Sequence, residues 1–385
     1  MSRPAPLAGV RILDLTRLLP GPVATLHLAD LGAEVIKIED PETGDYARTL
    51  GTGKGEDSAY FRMINRNKRG LCLDLKDPDG VAVFMRLART ADVVIESFRP
   101  GVVDKLGIGH AAVAAVNPRV AYCSISGYGQ DGPYRDRAGH DINYLGYAGV
   151  LEQIGSEGGA PAIPNFQIAD LLGGALTAAM GILAAVIDAR STGQGRYIDV
   201  SMTDAVLAHT YFAMLRLADS GASAPRGTDL LSGGLPCYAT YRCADGRYMA
   251  VGALEGKFWK LCCATLARPD WVARQWDPAL RGELGELFAT RAQHEWTALF
   301  APVDCCVTPV LGLEEALENE QVAARGMVFS ADGVRQFAPP LRFSGFDFSV
   351  GRTAPRRGEH SAAILREAGY GDDEIAALEA GGVIR

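Results

Sequence analysis

Val10-Arg-Ile-Leu-Asp-Leu15 is followed by a helical stretch opened by Gly21-Pro22 and running through Leu31, and then by Glu34-Val-Ile-Lys-Ile-Glu39. Two short β-branched runs flank one helix, and parallel strands joined this way need a crossover, so the unit is βαβ. Working outward, further strands are expected over 71–73, 92–97, 120–126 and 197–200, with helices over 79–90 and 171–190. The alternation predicts an α/β domain with a parallel sheet. Helix 171–190 is apolar almost all round, which predicts burial on every side.

Beyond Ala218 the texture changes. Ser220-Gly-Ala-Ser-Ala-Pro-Arg-Gly227 and Ser232-Gly-Gly-Leu-Pro236 read as a linker, so 1–218 is taken as the first part of a large domain and 219–236 as the connection. Asp245-Gly246 between two alternating runs, 238–243 and 248–251, is a hairpin and starts a smaller α+β domain over 237–325. Residues 326–385 are assigned to a return to the large domain and a tail. Within them 321–355 shows little periodicity, and 361–378 reads as surface helix.

The chain has 385 residues, enough for two or three compact units. With 48% hydrophobic and 22% charged residues it has the composition of a folded globular protein. A net charge of −8 disfavours general binding to nucleic acid or an anionic membrane, so an anionic ligand needs a local basic patch. No run reaches the ~18 unbroken apolar residues of a membrane span, and the N-terminus lacks an apolar leader core, so the expected compartment is the cytoplasm. The eight cysteines agree with it: two adjacent pairs and four scattered residues read as buried thiols. They form no Cys-x-x-Cys, and the six histidines lack metal-ligand spacing, so no metal is expected.

Six features carry candidate chemistry. Gly127-Tyr-Gly129-Gln-Asp-Gly132 matches a dinucleotide fingerprint in letters, but Pro133-Tyr-Arg follow it where a helix must open, so it is read as a tight turn. Arg62, Arg66, Lys68 and Arg69 fall within eight residues with no acid among them, and offer a local docking place for an anion or a solvated surface stretch. Lys76, Arg99 and Lys105 fall at or after strand ends, where open α/β sheets bind ligands. Ala138-Gly-His140-Asp-Ile-Asn-Tyr144 begins a helix with Asp141 as its natural N-cap; His140, just outside, is either a general base or a surface residue. Asp170 stands at the mouth of the apolar helix, as a partly desolvated base or nucleophile or as a cap. Glu255 closes an apolar run.

Together these segments resemble the class III CoA-transferase family, and within it the α-methylacyl-CoA racemase branch, over essentially the whole chain. The resemblance is carried by Leu7-Ala-Gly-Val-Arg-Ile-Leu-Asp-Leu15, Pro20-Gly-Pro22, Asp74-Leu-Lys76, Arg99-Pro-Gly101, Gly127-Tyr-Gly-Gln-Asp-Gly-Pro133 and Thr192-Gly-Gln-Gly195. His140, Glu255 and Gly233-Gly-Leu-Pro236 point to the racemase branch. Gln167-Ile-Ala-Asp170-Leu-Leu-Gly-Gly174 is worded more like members that transfer CoA between carboxylic acids.

The resemblance implies a Rossmann-like large domain, a small domain and an interlocked, ring-like homodimer. It implies that the substrate is an acyl-CoA thioester and that Leu73, Asp74, Leu75, Lys76, Ser97, Phe98, Arg99 and Lys105 contact CoA. CoA is then part of the substrate, and no redox cofactor or metal is required. Inversion at the α-carbon needs one base on each face and donors for the enolate oxygen. His140, oriented by Glu255, and Asp170 are the expected bases. Asp141, through its N–H at the helix start, and Tyr144 are the expected oxyanion and orienting groups. The alternative is CoA transfer through a covalent Asp170 intermediate.

Overall fold

The computed structural model describes residues 3–51 and 57–385. The chain forms two compact units: Met1–Ala148 with Phe166–Ala208 and Gln321–Arg385, and Gly149–Asn165 with His209–Glu320.

The first unit is built on six parallel strands: β1 (Arg11–Asp14), β2 (Glu34–Glu39), β3 (Lys68–Cys72), β4 (Val93–Glu96), β5 (Ala121–Ser126) and β6 (Tyr197–Ser201). Their order is β3-β2-β1-β4-β5-β6. Leu13 pairs with Ile36 on one side and Val94 on the other. Both faces of the central strands are covered, which is why they read as continuous apolar runs. The chain leaves β1 to build one half of the sheet and returns to β4 for the other, so a crevice opens where the carboxyl ends of β1 and β4 lie side by side.

Helix α1 (Pro20–Asp30) starts with proline in its first turn, where the missing N–H costs nothing. Helix α2 (Pro78–Ala88) is capped by Asp77, which accepts the N–H of Asp79. The C-terminal stretch is no surface appendage: Ile364, Leu365, Ile375, Val383 and Ile384 are buried with Leu13, Ile36 and Phe84 in one core. Residues 328–337, where periodicity is weak, form an antiparallel hairpin.

The basic segment Arg62–Arg69 is corrected by the structure. Lys68 is buried against Asp14 (3.3 Å), Asn65 (2.8 Å) and the Pro22 carbonyl (2.9 Å). Arg66 is paired with Asp30 (3.1 Å), and Arg69 bridges Glu34 and Glu367, both at 2.7 Å. Arg62 donates to the Asp332 carbonyl. These cations lock the sheet to its surroundings and leave no anion site.

Helix α3 (Asp141–Tyr147) starts one residue earlier than an Asp141 cap requires, because His140 is the N-cap and Asp141 the first helical residue. Helix α4 (Ala169–Thr192) is π-helical from Ala169 to Leu176 and α-helical thereafter. It is long and apolar enough to cross a membrane by length and composition. In the fold one face, with Ala178, Ile182, Ala185 and Ala189, is buried, while Met180 and Ile187 stay 67% and 69% exposed. The expectation of burial all round is therefore wrong: half of this apolar helix is uncovered.

In the second unit, α5 (Tyr211–Ser220) buries none of its side chains, and Tyr211 is 73% exposed. Strands β7 (Tyr238–Arg242), β8 (Tyr248–Gly252) and β9 (Val307–Pro309) form an antiparallel sheet. Its hairpin turns at Gly246, whose φ of 81° explains the glycine. Trp259, Trp271, Trp296 and Phe288 fill the core. Helix α6 (Gly256–Thr265) begins directly after Glu255.

Candidate active site

The crevice between β1 and β4 holds the residues that follow those strands. Leu15 N–H donates to the Ile95 carbonyl at 2.8 Å, and Arg17 N–H reaches the Ser97 hydroxyl at 3.3 Å. The Arg17 guanidinium then lies between two rings, 5.4 Å from the centroid of Phe98 and 5.6 Å from that of Tyr46. Phe98 is fixed from below, where its N–H donates to the Glu96 carboxylate at 2.7 Å. Arg99 is exposed and makes no ion pair among the described residues. Lys105 is exposed at the end of the short helix Val102–Lys105. A flat, cation-backed aromatic surface at a sheet's switch point suits a nucleotide-bearing ligand. Arg17 was not among the expected contacts; its cue is a cation two residues past a central strand.

Leu73–Lys76 follows β3 on the same edge of the sheet. Leu73 is buried; its N–H is held by the Glu39 carbonyl and the Asp74 N–H by the Val383 carbonyl, both at 2.8 Å. Asp74 accepts the Lys76 N–H at 2.9 Å, and Leu75 is half-buried. The exposed Lys76 ammonium lies 3.4 Å from Asp40. Burial favours protonated Asp40, but the N–H groups of Thr43 and Glu42, with Lys76, hold its carboxyl down at about 2.

Asp170 lies in the π-helical start of α4. A side chain on Gly173 would press on the Met202 carbonyl at 2.8 Å, and one on Gly174 on Pro20 at 2.6 Å. The two glycines therefore let the helix approach α1 and the Met202 backbone, and this seats Asp170. Its own carboxylate is not a cap. The cap is Asp141, whose Oδ1 accepts the N–H groups of Ala169 (2.7 Å) and Asp170 (3.0 Å). Burial and the neighbouring Asp141 charge raise the Asp170 carboxyl to about 6, with His140 pulling the other way. Such a group is mostly ionised at neutral pH and still able to carry a proton.

His140 is exposed. Its backbone N–H is taken by the Asn143 side chain at 3.0 Å and its carbonyl by Asn143 N–H at 2.8 Å, so the imidazole is not needed to cap α3. Tyr144 is buried; its hydroxyl donates to the Gly139 carbonyl at 2.5 Å, and burial followed by the Asp170 charge raises its phenol. Arg99 acts on the same phenol in the opposite sense. His140, Asp141, Tyr144, Asp170 and Arg99 thus share one electrostatic neighbourhood. Tyr60 joins it unforeseen, its phenol raised by burial and by Asp170.

The glycine motif serves this neighbourhood. A Cβ on Gly127 would sit 2.2 Å from the Tyr144 ring, and one on Gly139 2.6 Å from it. Gly129 and Gly132 have φ of 89° and 76°, and Gly129 N–H closes on the Ser126 hydroxyl at 2.9 Å. This is a tight turn that packs Tyr144. In the second unit, Glu255 is exposed, and its carbonyl accepts the N–H groups of Phe258 and Trp259 at the start of α6. Its carboxylate makes no hydrogen bond or ion pair among the described residues, and its charge raises the nearby Cys306 thiol after burial has done so.

Comparison with known proteins matches residues 7–361 to the family model described as CoA-transferase family III. Human alpha-methylacyl-CoA racemase is 37% identical, the match covering 98% of this chain and 97% of that protein. Human succinyl-CoA:glutarate CoA-transferase is 33% identical over 100% of this chain and 91% of its own length. The crystal structure of a CAIB/BAIF family protein from Brucella suis superposes with a TM-score of 0.82 at 32% identity, covering 95% of this chain and 100% of that one. The chain belongs to CoA-transferase family III and is an enzyme of that family acting on acyl-CoA.

Proposed function

We propose that the enzyme interconverts (R)- and (S)-2-methylacyl-CoA thioesters by two-base transfer of the α-proton. The observation that carries this reading is the pairing of His140 with an Asp170 whose carboxyl is raised to about 6. One base removes the α-hydrogen, the C–H electron pair passes into the enolate, and the other base protonates the opposite face. In one direction His140 takes the proton and protonated Asp170 gives one; in the other the roles exchange. The Asp141 N–H and the positive end of α3 stabilise the enolate oxygen. Tyr144 holds the Gly139 carbonyl and so the approach to His140. The CoA moiety lies along Leu73–Lys76, Ser97–Arg99 and Lys105, with Arg17 and Phe98 beneath it.

The working unit is a homodimer in which Glu255, supplied by a second copy, orients His140. What supports it is the apolar surface left open on each unit, Leu176, Met180 and Ile187 on α4 and Tyr211, Phe212 and Met214 on α5, which a monomer leaves in water. Work in the cytoplasm is supported by eight free thiols, seven of them buried.

Single-enantiomer substrates test the assignment. His140→Ala abolishes racemisation and leaves slow α-proton exchange from one enantiomer, and Asp170→Ala leaves it from the other. Glu255→Gln is milder, since the orienting hydrogen bond partly survives. Full activity of Asp170→Ala on both enantiomers contradicts the mechanism. A second reading is favoured by the 33% identity to a CoA-transferase. In it the Asp170 carboxylate attacks the thioester carbonyl, the C–S bond breaks and CoA thiolate leaves a mixed anhydride; the thiolate then attacks the Asp170 carbonyl, releasing the first acid and forming an Asp170–CoA thioester, from which a second acid's carboxylate takes CoA by the same two steps in reverse.

A further inference from the structure

A cavity of about 310 Å³ in the first unit is lined by Arg48, Asp57, Arg356, Arg357 and Arg385. Four guanidinium groups in one hollow are unusual in a chain with a net charge of −8. They come from three distant stretches, and each stretch is held in place. Arg48 is in the turn Tyr46–Thr49, capped by Asp45, which accepts the Ala47 N–H at 2.9 Å. Arg356 and Arg357 follow Pro355, whose ring, with the Arg356 carbonyl, approaches Gly70 so closely that a Cβ there would meet both at 3.0 Å. Arg385 ends a segment anchored by the Leu73–Ile384 bridge and by Asp74 N–H on the Val383 carbonyl.

The acids nearby do not neutralise this set. Arg48 is spoken for: Nε donates to Glu39 at 2.8 Å, Nη2 to Glu39 at 2.6 Å, and Nη1 pairs with Asp57. Arg357 donates to the neutral Glu42 carbonyl at 2.9 Å and forms no ion pair among the described residues. Arg356 and Arg385 form no ion pair with an acidic side chain among the described residues. Three of these cations act together on the buried Cys72 thiol: burial and Glu39 raise it, while Arg357, Arg48 and Arg385 pull it down. They therefore converge on the carboxyl ends of β2 and β3, beside the Leu73–Lys76 loop.

We propose that this cavity is a phosphate-monoester site, in which Arg356, Arg357 and Arg385 grip a tetrahedral dianion over the already neutralised Arg48. Guanidinium forks match such an oxygen set, and the cavity is at the small end of ligand pockets. Two sources carry this chemistry: the 3′-phosphate of the CoA substrate, which rests on the acyl-CoA reading above, and free inorganic phosphate.

Titration calorimetry on the full chain with CoA, 3′-dephospho-CoA and inorganic phosphate, for wild type and the exposed-side-chain variants Arg356→Ala and Arg385→Ala, distinguishes them. If the source is CoA, wild type prefers CoA over dephospho-CoA by about 10- to 100-fold, and both variants erase that preference while dephospho-CoA binding is unchanged. If the source is free phosphate, the CoA preference is near one and the variants weaken inorganic phosphate by about tenfold or more. Both results uphold the site. It is overturned if neither variant changes the affinity for phosphate or the preference for CoA. Should no CoA species bind, the acyl-CoA reading fails and the phosphate arm still decides this site.

Discussion

His140→Ala turns the proposed two-base enzyme into a one-base enzyme, and its pH profile then reports Asp170 directly. With the imidazole gone, α-exchange in D₂O proceeds only when the Asp170 carboxyl is ionised. A carboxyl near 6 is roughly 90% ionised at pH 7 and roughly 10% at pH 5, so exchange falls about tenfold between them. A carboxyl at its ordinary 3.8 loses under about 10% over the same range. Removing His140 also removes the one neighbour that lowers Asp170, so the midpoint moves up rather than down. The wild type behaves differently: its active form holds one proton between the two bases, so both enantiomers share one bell-shaped profile. The assay is α-deuteron incorporation by mass spectrometry, one enantiomer at a time, from pH 5 to pH 8. Exchange in the variant that is absent, or flat across that range, refutes the reasoning.

Lys68→Met leaves Asp14 buried with Thr16, Thr25 and Lys37; breaking such a pair costs about 3 to 5 kcal/mol, read as a lower urea midpoint, with CoA affinity unchanged. Arg99→Ala weakens CoA binding by roughly 1.5 to 3 kcal/mol in calorimetry, and unchanged affinity removes Arg99 from the nucleotide site. Gly127→Ala drives a Cβ into the Tyr144 ring, costs about 1 to 3 kcal/mol in thermal unfolding, and lowers kcat by displacing the His140 loop.

How much of this was legible in the sequence depends on how far apart the interacting residues are. Strand 34–39 was readable to the residue, because the β-branched Val35, Ile36 and Ile38 mark it as a strand even though Lys37 and Glu39 are buried with them. The Arg62–Arg69 segment was misread because its acids, Asp14, Asp30 and Glu367, lie tens to hundreds of residues away, outside any local window. The same distance hid Asp141 as the cap of the helix that carries Asp170. Helix α4 misled differently: an apolar surface looks the same in sequence whether it faces the protein's own core or stays open. The C-terminal helices looked like surface because they are short, and their few apolar residues fill a core built by the first hundred. Arg17, Tyr46 and Phe98 come together only once strand order places β1 beside β4, an order that local pattern does not encode.

In the proposed mechanism the active site moves a proton at the α-carbon rather than CoA between acids. Incubating the wild-type enzyme in D₂O with each enantiomer of a 2-methylacyl-CoA, in parallel with hydroxylamine trapping, tests it most directly. α-Deuterium and racemisation are expected from both enantiomers, with no trapped adduct at Asp170. A hydroxamate at Asp170 without α-exchange contradicts it and makes the enzyme a transferase.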